Sequence, residues 1–248
     1  MLASLRHWSR QFISRLPSAI PSSCSICGTV DDDAICGLCR TQFFSRRPHR
    51  CMQCAMPLPG LQAMAATRCG ACLKQPPAFD ATVVASDYAP PVDRLVLALK
   101  FGSQLALAPL FASILRDALP DERELPLPML LTAVPLGRQR LAERGFNQAL
   151  EIARPLSRAL GIALDSRLVA RLRDTQAQAL LHPVERHRNI RHAFVVPDGG
   201  AARVRGMHIG VVDDVITTGE TLNELAATLK RFGATRVTNF VFARTLQK

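Results

Sequence analysis

Asp213 and Asp214 are adjacent carboxylates set between apolar Ile209, Val211 and Val212 and the turn Thr217-Thr218-Gly219-Glu220-Thr221. Paired acids cannot hold a phosphate. They can accept hydrogen bonds from the vicinal hydroxyls of a ribose, or hold a hydrated divalent cation, which takes only a few protein oxygens. The turn is the complementary half: Thr217, Thr218 and Thr221 bring hydroxyl donors, Gly219 lets the backbone come close, and a helix start aims amide N–H groups at a dianion. Thr217 with Glu220 also has capping-box spacing, which alone would describe an ordinary helix start. Acids and turn together point to a sugar-phosphate site, with Val212 and Val215 beside the acids counted among its binding residues. Acids that are buried, or splayed across the two faces of a sheet, would remove the case for a sugar-phosphate ligand.

A second chemistry lies upstream. All eight cysteines form four C-x-x-C pairs, Cys24/Cys27, Cys36/Cys39, Cys51/Cys54 and Cys69/Cys72. Such knuckles place two thiolates on one face of a tetrahedral ion, so two structural zinc sites are expected. Sequential pairing gives two ribbons; crossed pairing is the alternative, and a redox dithiol is a weaker one. Gly28, Gly37 and Gly70 fall where knuckle turns call for positive φ, and His49 is a bystander. Arg40, Arg46, Arg47, Arg50 and Arg68 make a basic face suited to nucleic-acid phosphate. Phe43 and Phe44, however, read as the small module's core rather than as stacking groups, and zinc closing a fold too small for a core of its own is the preferred reading.

The elements that must position these groups alternate. Thr82 to Ala85 reads as a strand, and Pro90-Pro91 opens a helix with Val92, Leu95, Val96 and Leu99 on one face and Lys100 at its end, either facing the site or solvated. A further helix runs to Leu119, followed by a polar loop from Pro120 to Pro128. Leu130 to Val134 is a buried strand, Asn147 to Leu160 a helix stopped by Gly161, and Leu222, Leu225, Ala226 and Leu229 line a helix stopped by Gly233. Arg236 to Ala243 is the last strand. Helices between buried strands imply a parallel sheet with a ligand crevice at the strands' carboxyl ends.

The 209–221 stretch resembles the phosphoribosyl-pyrophosphate motif of the type I phosphoribosyltransferases. Lys100-Phe101, the run from Pro135 to Gln148, and the block from Leu168 to Phe194 resemble the ComF branch of that superfamily. The resemblance implies a type I phosphoribosyltransferase-like α/β domain, a parallel sheet flanked by helices, preceded by a small double zinc-ribbon module with four cysteines to each metal. It implies phosphoribosyl pyrophosphate with magnesium as ligand, a link to competence, and single-stranded DNA and other DNA-uptake proteins as partners. The loop after Leu130–Val134 would then cup diphosphate, with Val134-Pro135 suited to a cis bond and Arg138, Arg140 and Arg144 supplying the cations. Arg173, Thr175, Gln178, Arg186 and Asn189 are characteristic residues of a lid, and His187 and His192 are read as surface groups.

Composition fits. The 248 residues are 48% hydrophobic with net charge +11, ample for a core and unlike a disordered tail. Nine of the 31 basic residues but three of the 20 acidic ones precede Ala78. No run is long enough to span a membrane, and the absence of a continuous apolar leader points to the cytoplasm. The expected divisions are a basic N-terminal helix at 1–21, the double ribbon at 22–76, ended by Pro76-Pro77, and the phosphoribosyltransferase-like domain at 77–248. Two functions fit: pentosyl transfer to an acceptor that the sequence does not name, or a non-catalytic DNA-binding adaptor of the transformation machinery that keeps the fold.

Overall fold

The computed structural model describes residues 22–45, 48–58, 67–120, 125–172 and 192–246. The chain divides into two compact units, 1–46 and 47–248. The 1–21 segment expected as a basic helix lies outside the described residues, as do Arg46 and Arg47.

In the first unit strands β1 (Ser22–Ser23) and β2 (Val30–Asp31) pair antiparallel across the Cys24–Cys27 knuckle. The knuckle closes by Gly28 N–H to Cys24 O at 2.8 Å, and Gly28 takes φ +77°. Helix α1 (Gly37–Phe44) starts at Cys36 and brings Cys39 inward, with Ile35 and Phe44 buried beside it.

The second unit opens with the matching pattern: the Cys51–Cys54 knuckle, then α2 (Gly70–Lys74) starting at Cys69. Here Ala55 takes the positive φ (59°) that Gly28 takes in the first knuckle. The sequence expectation for Gly37 and Gly70 is corrected by this: neither has positive φ, because each is the first residue of a helix. Both copies therefore need a left-handed residue after the second cysteine, and glycine fills only one of them.

The main sheet follows: β3 (Ala81–Asp87), α3 (Val92–Phe101), α4 (Leu107–Asp117), β4 (Leu130–Ala133), α5 (Arg138–Arg144), α6 (Gln148–Leu160), β5 (Ala163–Leu164), then a small antiparallel pair β6 (Ala170–Arg171) and β7 (Phe194–Val195), α7 (Ala201–Val204), β8 (His208–Ile216), α8 (Glu220–Arg231) and β9 (Arg236–Arg244). Five strands pair in the order β3-β9-β8-β4-β5, all parallel. β8 and β9 are central and almost wholly buried. That is why they read as near-continuous apolar runs. Phe111 of α4 stacks on Phe242 of β9 with centroids 3.5 Å apart. Gly210 is obligatory in β8, since a Cβ there would lie 2.4 Å from Leu131 and 2.9 Å from Phe240.

β3 is an edge strand, and the second cysteine knuckle covers it. Thr82 N–H donates to Met52 O at 2.9 Å, Thr82 Oγ1 to Gln53 O at 2.7 Å, and Gln53 Nε2 to Phe79 O at 3.0 Å. One outward amide of the edge strand is thereby partnered, and its side chain with it. The linker is tied in as well, by Ala78 N–H to Asn223 Oδ1 and by Asp80, whose carboxylate accepts from Lys230 Nζ and Val237 N–H, each at 2.8 Å.

Asn147 joins sheet to helix. Its Oδ1 accepts from the Ala149 and Leu150 amides, capping α6, while its Nδ2 donates to Val134 O at the end of β4. Asn147→Ala removes the cap and is expected to cost about 1–2 kcal/mol in a denaturant titration. No helix among the described residues is long and apolar enough to cross a membrane.

Candidate functional site

Asp213 and Asp214 lie within the carboxyl-terminal part of β8, which continues through Val215 and Ile216, so the acids are part of the strand rather than following it. Asp213 Oδ1 accepts from the Asp214 amide and Asp214 Oδ1 from the Val215 amide, both at 2.9 Å. Both acids are buried, Asp213 to 9% exposure and Asp214 to 3%. The burial that the sequence reading sets against a sugar-phosphate ligand is therefore present, and the acids are not an open pair. Instead Lys100 Nζ, at the end of α3, lies 2.8 Å from Asp214 Oδ2. That oxygen makes no aligned hydrogen bond, but an ammonium at this distance acts through its charge, whatever the angle. Buried carboxylates require such a cation. Burial, then the neighbouring Asp214 carboxylate, hold Asp213 well above the usual carboxylate range, and Lys100 opposes them.

Arg144 is the second cation. Its guanidinium lies 5.0 Å from the Phe101 ring centroid, next to Lys100, and donates to Gln148 Oε1. Burial pulls its pKa below the usual guanidinium value, Asp214 counters that, and Arg140 adds to the lowering. Arg140 lies one turn before Arg144 on α5, the same side of the helix, whereas Arg138 is exposed and two residues from Arg140, hence on roughly the opposite side. The structure thus pairs Lys100 with Asp214, sets Arg144 within range of the Asp214 charge, and leaves Arg138 apart. The run after β4 is not an open loop: α5 forms, stopped by Gly145 at φ +80°. The expected cis bond at Val134-Pro135 is absent, and the cis peptide among the described residues is Pro90-Pro91.

After β8 the chain turns through Thr217 and Thr218 into α8. Gly219 is the N-cap at φ +87°, so the Thr217–Glu220 capping box does not describe this helix start. A glycine cap has no side chain to satisfy the first amides, which leaves the helix N-terminus suited to an anion. A cavity of about 370 Å³ lies elsewhere, between β4, α5 and α6, lined by Pro135, Leu136, Leu141, Phe146 and Leu150 among others; neither the acids nor the turn contribute to it.

The lid block is described only at its two ends, where β6 pairs with β7 and Arg171 lies 5.5 Å from the Phe194 ring centroid. His192 N–H donates to Glu224. Arg173, Thr175, Gln178, Arg186, His187 and Asn189 lie outside the described residues.

The cysteines group as Cys24, Cys27, Cys36 and Cys39, and as Cys51, Cys54, Cys69 and Cys72, the sulfurs of each set within 4.8 Å of one another. Pairing is sequential, not crossed. Four thiols at such spacing suit a tetrahedral soft or borderline ion. Cys51 is lowered to about 4, first by the Cys54 thiol, while burial pushes Cys72 up to about 12. The basic face expected nearby is broken: Arg50 turns inward, donating to Ala55 O and pairing with Asp87 at 2.8 Å.

Residues 147–248 match the model of the phosphoribosyl transferase domain. The "DNA utilization protein YhgH" of Salmonella typhi is 37% identical over 235 residues, 92% of this chain and 99% of that protein. "Competence protein F" of Haemophilus influenzae is 34% identical over 182 residues, 72% of this chain and 79% of its own. A solved glutamine phosphoribosylpyrophosphate amidotransferase from B. subtilis superposes over 54% of this chain and 25% of its own at a TM-score of 0.33 and 18% identity, a likeness too slight to argue from. With its parallel sheet, two four-cysteine clusters and these relatives, the chain belongs to the ComF family of the type I phosphoribosyltransferase superfamily.

Proposed function

We propose that the domain binds phosphoribosyl pyrophosphate with magnesium at the carboxyl end of β8, in a protein that serves the use of external DNA. The observation that carries this reading is the pairing of Asp214 with Lys100 shortly before a glycine-capped helix, with Arg144 in range of the same charge. Asp213 and Asp214 accept the ribose hydroxyls once Lys100 swings off Asp214; its side chain is 22% exposed and long enough to do so. Thr217, Thr218, Thr221 and the amides from Gly219 onward hold the 5′-phosphate, and the backbone at Val212 and Val215 keeps the acids in register. Arg144 and Arg140 supply positive charge where diphosphate departs, with Arg138 at the rim. Magnesium, when bound, neutralises diphosphate charge. Pentosyl transfer on such a site needs positioning and charge, not a protein nucleophile. The cytoplasm is the proposed location, and each four-cysteine cluster holds one structural zinc.

Calorimetry with three ligands tests the phosphate assignment. Thr217→Ala with Thr218→Ala is expected to weaken phosphoribosyl pyrophosphate and ribose 5-phosphate by about tenfold, the loss of one or two hydrogen bonds to a charged group, while leaving pyrophosphate unchanged. Equal loss for all three would remove the turn from the site.

The names of the relatives, "DNA utilization" and "Competence", describe a process rather than a reaction. They favour a second reading in which the ligand is a signal and the protein an adaptor for single-stranded DNA and for other DNA-uptake proteins. Salt-dependent retention of a single-stranded oligonucleotide, lost in Arg46→Ala with Arg47→Ala, is its expected signature; retention unaffected by salt would sink it.

A further inference from the structure

Arg244 closes β9 and is 3% exposed, and neither its Nε nor its Nη1 has a hydrogen-bond partner. A buried guanidinium left in that state is costly, and the cost falls only if a negative charge lies near. Asp87, opposite Arg244 in the β3–β9 register, is already paired with Arg50. Arg50 adjoins Cys51 and reaches Asp87, the register partner of Arg244, which brings the second cysteine cluster to this end of β9; Cys54, Cys69 and Cys72 lie within electrostatic reach of Arg244, with Arg50 opposing. Four cysteine ligands on one divalent ion form a centre of net charge −2, a countercharge suited to a buried guanidinium.

We infer that Arg244 is the resident counter-ion of the second metal centre, supporting a divalent cation held there by four cysteines. The inference rests on the reading that the clusters bind metal. It makes Arg244 a positioning residue for that centre, supplied by the last strand of the sheet to ligands that precede the first. The two centres should then differ, since Cys27 of the first cluster is exposed whereas the second is buried or half-buried throughout. The second centre should release its ion last.

The test is metal release from the full-length protein to an excess of a chromophoric chelator. Wild type is expected to give up two equivalents in two phases, with only the slow phase left in Cys27→Ser. Arg244→Leu should accelerate the slow phase by about 10–100-fold, the usual effect of losing a group that supports metal ligands, whereas Arg244→Lys keeps the charge and stays nearer wild type. Melting temperatures give a readout that simple packing would not: Arg244→Leu should lower that of the loaded protein but not that of the stripped one. Unchanged release, or equal loss in both forms, would overturn the inference. If Arg244→Leu does not fold, Arg244→Gln against Arg244→Lys decides, and equal release rates in those two overturn it. A wild type that carries no metal would instead fail the metal reading itself.

Discussion

Asp213→Asn combined with Asp214→Asn is expected to weaken magnesium-dependent binding of phosphoribosyl pyrophosphate by about 30- to 100-fold, since two charged acceptors become neutral amides, at about 1–1.5 kcal/mol each. Calorimetry reads this directly, and unchanged affinity would end the ligand assignment. Loss of binding must be told apart from unfolding, and pH does that. Asp213 is held above its ordinary range chiefly by burial, so the folded state binds a proton more tightly than the unfolded chain. Its contribution to stability is complete below the unfolded carboxylate value and is lost as pH rises through the raised folded value. Asp213→Asn alone removes that loss. At neutral pH it should melt higher than wild type, by about 2–4 °C for each kcal/mol gained, while binding ligand worse. Lys100→Gln should act the other way on titration: without the ammonium that opposes the rise, Asp213 is pushed further up, and the pH at which ligand binding reaches half its maximum moves upward. No movement of that midpoint would mean that Lys100 is not coupled to the acids.

The second large effect concerns metal. Cys51→Ser with Cys54→Ser is expected to lose one of two bound zinc ions and to destabilise the second unit by about 3 kcal/mol or more, because structural zinc contributes folding energy outright. The loss should be local at first. The Thr82 amide is bonded to Met52 O, between the two substituted positions, so its hydrogen exchange should accelerate before that of β8, which has β4 and β9 on either side. Mass spectrometry of the intact protein counts the metal, and exchange at β3 and β8 orders the openings. Simultaneous opening of both strands would mean that the knuckle does not hold the edge.

Much of this was legible in the residues because it is local. The strand, acids, turn and helix of 209–231 are consecutive in sequence, and C-x-x-C spacing carries its own geometry. Asn147 could be read as a helix start because capping depends only on the next few amides. What escaped the sequence depends on contacts between distant segments. Lys100 meets Asp214 across more than a hundred residues, and nothing in Lys100-Phe101 distinguishes a solvated helix-end lysine from one paired with a buried acid. Arg50 read as part of a basic surface because its neighbours are basic, yet Asp87 draws it inward. α5 was missed since its seven residues carry no apolar stripe; its only clear signal was Gly145. Ala55 at positive φ was invisible for the opposite reason, that alanine there is the exception to the rule used to find such turns. Arg244 reads as a charged end to a strand, and only burial without partners marks it as needing a charge nearby.

The covered edge of β3 bears on how the chain is made. β3 pairs in the sheet only with β9, and Thr82 meets Asn239 across 157 residues. At ribosomal rates of about 5–20 residues per second, a nascent chain waits roughly 10–30 s for that partner. The Cys51–Cys54 knuckle emerges beforehand and bonds to Thr82 from outside the sheet, so if the cluster holds zinc as proposed, an early ion would shield one flank of a sticky segment during translation. Cells starved of zinc would then accumulate aggregates of newly synthesised chains while protein folded earlier stayed in solution.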